Sequence, residues 1–186
     1  MDVRIVRTTR ALEQAVVDLA AAKPVSQVTV SELCTRAGVT RRTFYNRFDS
    51  PGQVLAQALR RDLTDLAADD NRRRASVAEP PSALLRMANA DIIDHVLRHR
   101  DVYRHALAAD ADTQVFDVLV DHFVGYSVAF IRGVANVHLT EEGIELAARF
   151  VAHGFAGAIS AWLRNPAITR EVLEDAVAAV APAWWT

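Results

Sequence analysis

Apolar residues recur along most of the chain at the three- and four-residue spacing of helices, and the scarcity of glycine and proline favours helices over sheets with many turns. Over residues 6–22, Leu12, Ala15, Val16 and Leu19 form one stripe, and Lys23-Pro24 ends it because proline disfavours helix in the residue before it. Thr29-Val30-Ser31-Glu32 is a capping box, in which a threonine hydroxyl and a glutamate three residues on serve each other's backbone amides. A second helix is therefore expected from Val30, with Val30, Leu33, Cys34 and Ala37 inward. Gly38 follows its last turn, where a left-handed backbone is needed. Thr40 is the next N-cap, and residues 41–47 form a third helix anchored by Phe44 and Phe48.

Further helices are expected over residues 51–71, 82–100, 101–109, 113–135, 141–165 and 170–180, the last capped by Thr169. The Arg72-Arg73-Arg74 run reads as a solvated helix end, where cations suit the dipole. The pattern thus predicts an all-α chain of about nine helices, a three-helix helix-turn-helix head followed by a helical body. Residues 1–50 make the head, 51–73 a linking helix and 74–186 the body, with a connector over 75–81.

The 186 residues carry a net charge of −2, which hides an asymmetry. Residues 1–60 hold nine Lys/Arg against five Asp/Glu, and residues 61–186 hold twelve against eighteen. A basic head on an acidic body suits nucleic-acid binding by the head. A single cysteine, Cys34, excludes an internal disulfide framework and a multi-cysteine zinc site, and fits a reducing compartment. The N-terminal MDVRIVRTTR is followed by no apolar segment of the signal-peptide kind. Asp117, Asp121, His122 and Arg132 interrupt the apolar run 115–137, and the run 150–163 is short and contains His153. Neither reaches the roughly 18–20 uninterrupted residues of a membrane span. A cytoplasmic protein with no membrane partner is expected.

The outer face of the third helix is left to Arg41, Arg42, Thr43, Tyr45, Asn46 and Arg47. Arginine bonds guanine in bidentate fashion, asparagine bonds adenine, and threonine meets a thymine methyl. A merely solvated face is the plainer alternative. The segment TRAGVTRRTFYNRF, with Ala37-Gly38-Val39, Thr40, Thr43, Phe44-Tyr45 and Phe48, resembles the signature of TetR/AcrR transcriptional regulators. The specific match runs over residues 12–59. It implies that Thr29 and Ser31 touch phosphate, and that Thr40, Arg41, Arg42, Thr43, Tyr45, Asn46 and Arg47 line the major groove or its backbone. One departure is Pro51, which stands where the family often has a phosphate-gripping lysine, with Asp49 adding negative charge nearby.

In the body, Gly154, Gly157, Ala158 and Ala161 are small residues at helical spacing beside the bulky Phe155, Ile159 and Trp162. The resemblance implies that the last two long helices pair across a two-fold axis, so Gly154, Phe155, Gly157, Ala158, Ala161 and Trp162 are expected at a homodimer interface. The plainer alternative is that they close a monomer core. Trp184 and Trp185 are expected to pack there or to fray.

The resemblance also implies a small-molecule pocket among the middle helices. Its candidate lining is Met87, Asp91, Ile92, His95, Tyr103, Phe116, Phe123, Tyr126, Phe150 and Trp162. Asp91, His95 and His99 share one face of a predicted helix, a spacing that could serve a pocket or, less readily, a metal site, with a solvated structural stripe as the plainest reading. No enzyme motif is present, and neither catalysis nor a cofactor is expected. The expected function is a dimeric regulator that binds a near-palindromic double-stranded DNA operator and is released by a small lipophilic effector. The alternative is a helical ligand-binding or protein-interaction module with weak or lost DNA binding.

Overall fold

The computed structural model describes residues 3–76, 81–107, 114–133 and 138–180. Trp184 and Trp185 lie outside them. Among the described residues there are nine α-helices and no strand: α1 (Val3–Ala22), α2 (Val30–Ala37), α3 (Arg41–Tyr45), α4 (Pro51–Ser76), α5 (Pro81–Arg98), α6 (Arg100–Ala106), α7 (Gln114–Gly133), α8 (Glu141–Arg164) and α9 (Arg170–Val180). The all-α class expected from the pattern is what is found.

Most boundaries follow local chemistry. Thr140 caps α8 by accepting from the Gly143 amide at 3.2 Å. Thr169 does the same for α9 through Val172 N–H at 3.4 Å. Pro51 takes the first position of α4, where a missing N–H costs nothing, and Ser50 accepts from the Gln53 amide at 3.2 Å. Several boundaries differ from expectation, among them those of α1 and α4. α1 starts three residues earlier, with the Thr8 and Thr9 hydroxyls satisfied on the carbonyls of Arg4 and Ile5. α4 runs on through Arg72-Arg73-Arg74, so that run is helix interior, and Arg72 and Arg73 are ion-paired with Asp69 and Asp91.

The chain divides into two compact units, Met1–Arg61 with His99–Phe116, and Asp62–Arg98 with Asp117–Thr186. In the first, α1 packs on α2 and α6. Leu12 and Val16 are fully buried, each worth roughly 1.5–3 kcal/mol of apolar burial. Glu13 is also buried, at 3% exposure, and accepts hydrogen bonds from Arg61 and from Gln57 (3.1 Å). The His105 ring nitrogen lies 2.9 Å from the Ala20 carbonyl at the end of α1, a helix C-terminus whose partial negative charge favours a donor there. That contact joins α6 to the N-terminal helices, a grouping that linear reading, which put residues 74–186 in one body, did not anticipate.

In the second unit, Ile131, Ile144 and Ala148 form one buried cluster of α7 on α8, and Val151 a second with Tyr126, Phe130 and Phe155. α7 and α8 are long and apolar enough to cross a membrane by length and composition alone. Here part of each packs on the other, while Leu146 and Phe150 of α8 stay exposed. Arg170 bonds both Asp94 (2.5 Å) and Glu174 (2.6 Å), holding the start of α9 against α5.

Candidate functional site

The N-terminal site is built from two capped helix starts and one glycine. Thr29 accepts from the Glu32 amide at 3.2 Å, and Lys23 holds the Glu32 carboxylate at 2.7 Å and keeps its pKa below the usual value. Gly38 ends α2 at φ 65°, ψ 36°, the left-handed conformation in which its N–H returns to Cys34 and Thr35 carbonyls. Val39 N–H also bonds the Cys34 carbonyl, at 3.0 Å, turning the chain sharply. Thr40 then caps α3 through the Thr43 amide at 3.2 Å. Phe44 and Phe48 are buried with ring centroids 6.1 Å apart, so the inner face of α3 is anchored. Cys34, buried on the inner face of α2, has its thiol pKa pushed up by burial.

Anchoring the inner face determines what the outer face presents. Thr29, Ser31, Thr40, Arg41, Arg42, Tyr45 and Asn46 are exposed, and Thr43 and Arg47 are half-buried. Tyr45 is 60% exposed while its ring edge packs on Phe44 at 5.3 Å. Arg41 donates to the Ser31 hydroxyl at 2.9 Å, bringing together the starts of α2 and α3. One detail departs from expectation. α3 stops at Tyr45, Asn46 is its C-cap, and Arg47 lies in the following turn with its guanidinium on Thr9 Oγ1. Arg47 thus also braces α3 against α1.

In the second unit, α4, α5, α7 and α8 enclose a cavity of about 20 Å³, the room of a single water. Asp91, Ile92, Phe123 and Tyr126 line it, as do Leu66, Asp70, His122, Ser127 and Phe155, which the sequence reading did not include. Asp70 falls one turn after Leu66 on the packing stripe of α4, which is the signal that would have placed it. The other residues expected there are placed elsewhere. Met87 is 41% exposed, Phe150 is 83% exposed, and His95 and Trp162 are buried away from the wall. Tyr103 and Phe116 belong to the other compact unit. α5 ends at Arg98 and His99 is the N-cap of α6, so the Asp91, His95 and His99 row is not carried on one helix. Burial lowers the His122 pKa to about 4, so its imidazole is neutral near pH 7.

A third feature is an open apolar groove of about 900 Å³ on α8 and α9. Phe150, Gly154, Phe155 and Ala158 line it, facing Ala176, Val177 and Val180. Gly154, Gly157 and Ala161 are exposed, Phe155 and Ala158 half-buried and Trp162 buried. A side chain built at Gly154 or Gly157 would meet nothing within 4 Å.

A short helix buried on its inner face and set by a glycine turn behind a capped helix is the geometry of a helix-turn-helix DNA reader, here at the head of an all-α chain. Residues 14–58 match the family described as bacterial regulatory proteins, tetR family, and residues 88–171 match the transcriptional regulator C-terminal region. The chain belongs to the TetR family of transcriptional regulators.

Solved structures share the fold at low identity. A TetR-family regulator from Streptomyces coelicolor is 21% identical over 95% of this chain and 78% of its own, with a TM-score of 0.65. FadR of Thermus thermophilus, a repressor in complex with lauroyl-CoA, is 18% identical over 92% of this chain and 90% of its own, at 0.66. NalD of Pseudomonas aeruginosa, the secondary repressor of the MexAB-OprM multidrug efflux pump, is 19% identical over 92% and 96%, at 0.59. No curated protein sequence matches the chain.

Proposed function

We propose that the protein is a homodimeric, cytoplasmic repressor that sits on a near-palindromic operator and leaves it when a small lipophilic molecule occupies the cavity of the second unit. The observation that carries this reading is the exposed polar face of α3, held outward by the buried Phe44 and Phe48. Arg41, Arg42, Thr43, Tyr45 and Asn46 read the major groove, with Thr29, Ser31, Thr40 and Arg47 on its backbone. Residues 1–50 do the reading, 51–73 link and lend Leu66 and Asp70 to the cavity wall, and 74–186 supply the rest of that wall and pair the two copies. A second copy seated in the α8/α9 groove supplies the close neighbour that Gly154 and Gly157 lack within one chain. Two reading helices then lie ~34–36 Å apart, which demands a near-palindrome. The named repressors among the similar structures, one holding lauroyl-CoA, support a lipophilic effector.

Selection of genomic fragments on the immobilised protein, followed by sequencing, tests this. Enriched fragments should share an inverted repeat, and Tyr45→Ala should abolish the enrichment while leaving dimerisation intact. No enrichment would overturn the reading. A ligand-binding module with weakened DNA binding would then stand in its place, since Pro51 lacks the usual cation and Arg41 and Arg47 already bond Ser31 and Thr9.

A further inference from the structure

The outer face of α3 is divided by what its side chains already touch. The buried Phe44 and Phe48 set the inward direction. Two residues along a helix turn a side chain through about 200°. Arg42 and Asn46, each two residues from Phe44, therefore point almost directly away from the packed side. Asn46 keeps the helical register as the C-cap, with φ −69° and ψ −5° and its N–H on the Arg42 carbonyl at 3.1 Å. Both residues are exposed. Together they form the crest of the face, one turn apart.

The flanks of the face are held. Arg41, three residues before Phe44, gives its guanidinium to the Ser31 hydroxyl at 2.9 Å. Arg47, three residues after it, gives its own to the Thr9 hydroxyl at 2.6 Å. The Thr43 and Thr40 hydroxyls share a 2.9 Å hydrogen bond. The Tyr45 and Phe44 rings meet edge to face, with centroids 5.3 Å apart. The Arg42 and Asn46 side chains take no part in these contacts. A side chain that must align two hydrogen bonds with a base edge has to extend straight out from the helix into the groove. Side chains on the flanks meet the phosphate rows that border it.

We propose that Arg42 and Asn46 are the two base readers at the centre of α3, so that each half-site carries a guanine under Arg42 and, about two base pairs away, an adenine under Asn46. This rests on the operator reading given above and specifies the bases. A guanidinium bonds O6 and N7 of guanine, and a side-chain amide bonds N6 and N7 of adenine, each a bidentate pair that the other bases do not offer in the major groove. Four residues of helix separate the two by about 6 Å along its axis, close to two base-pair steps of about 3.4 Å. Arg41, Thr43 and Tyr45 flank this pair along the groove and fix its register.

The test is selection from a randomised duplex library by the full-length parent, Arg42→Ala, Arg42→Gln and Asn46→Ala, with the bound duplexes sequenced. In the parent, each half of the inverted repeat should hold a guanine and an adenine at that spacing. Arg42→Ala should lose a guanine preference of about tenfold or more and leave the other positions in place. Arg42→Gln should prefer adenine there instead, since glutamine bonds adenine. Asn46→Ala should relax the adenine alone. An arginine that only met phosphate would weaken binding to every sequence alike when removed. Either role lowers the salt slope on loss of the cation, so the shift in base preference is what separates them. A motif left unchanged by Arg42→Ala or by Asn46→Ala, or a guanine retained by Arg42→Gln, would overturn the proposal and leave the regulator standing. A library from which the parent draws no shared motif overturns both.

Discussion

The Arg47 guanidinium donates to the Thr9 hydroxyl at 2.6 Å, across 38 residues of sequence. The contact ties the turn after α3 to the first helix, so Arg47 contributes to holding the head together. Arg42, exposed on α3, stands clear of that brace. Arg47→Ala is expected to lower stability by about 1–2 kcal/mol as well as weakening DNA binding. Arg42→Ala should leave the melting temperature within a degree or two and reduce the salt slope of DNA binding by about 0.9. Urea melts and anisotropy titrations at several salt concentrations check both halves.

Gly38 adopts φ 65° in open space, with nothing within 4 Å of a Cβ placed there. The cost of Gly38→Ala is therefore conformational and free of clash, on the order of 1 kcal/mol. Gly38→Asn should cost less, because asparagine tolerates the left-handed region. Denaturant midpoints of the two variants should fall in that order, and a silent alanine would refute the strained-turn account.

His122 contributes a pH dependence to stability. Its folded pKa is lowered by burial from 6.5 to about 4. The unfolded chain therefore binds the extra proton first, and the folded state loses stability as pH falls from about 6.5 to about 4. The loss from this group is fully developed below that window and is at most on the order of 3 kcal/mol. His122→Gln should flatten the stability–pH curve between those limits, as followed by thermal melts at matched ionic strength. An unchanged slope would show that the decline comes from other groups.

Phe150 is 83% exposed on the α8/α9 groove, and Leu146 one turn before it is 69% exposed. Phe150→Asp places a charge on that apolar face without disturbing the chain's own core. If the two copies pair as proposed, sedimentation should then show a dimer for the parent and a monomer for the variant, with an unchanged helical circular dichroism spectrum. DNA affinity should fall together with the dimer, since each copy would engage its half-site alone. A dimer that survives Phe150→Asp would place the interface elsewhere.

The reader head was legible because its signals are local. Thr29, Gly38 and Thr40 each act on backbone groups within a few residues, and the conformations expected of them are those observed. The ends governed by distant partners were not legible. Nothing near Arg47 tells that its guanidinium will leave the reading face for Thr9. The break at His99 has no glycine or proline to announce it, so a row across Asp91, His95 and His99 looked continuous. Phe150 shows the limit of periodicity in the body. An apolar residue in an apolar helix looks like core or pocket until packing reveals which stripe is left open. Asp70 is the converse, a polar residue on a packing stripe whose burial depends on α5 and α7 closing over α4.

The water-sized cavity bears on sensitivity. A molecule larger than water meets this arrangement only after α4, α5, α7 and α8 have moved apart, so its apparent Kd equals the intrinsic one divided by the fraction of molecules already open. Variants that loosen the closed form would raise apparent affinity without adding a single contact to the ligand. The dose at which such a protein responds is thus set partly by side chains that a ligand never touches.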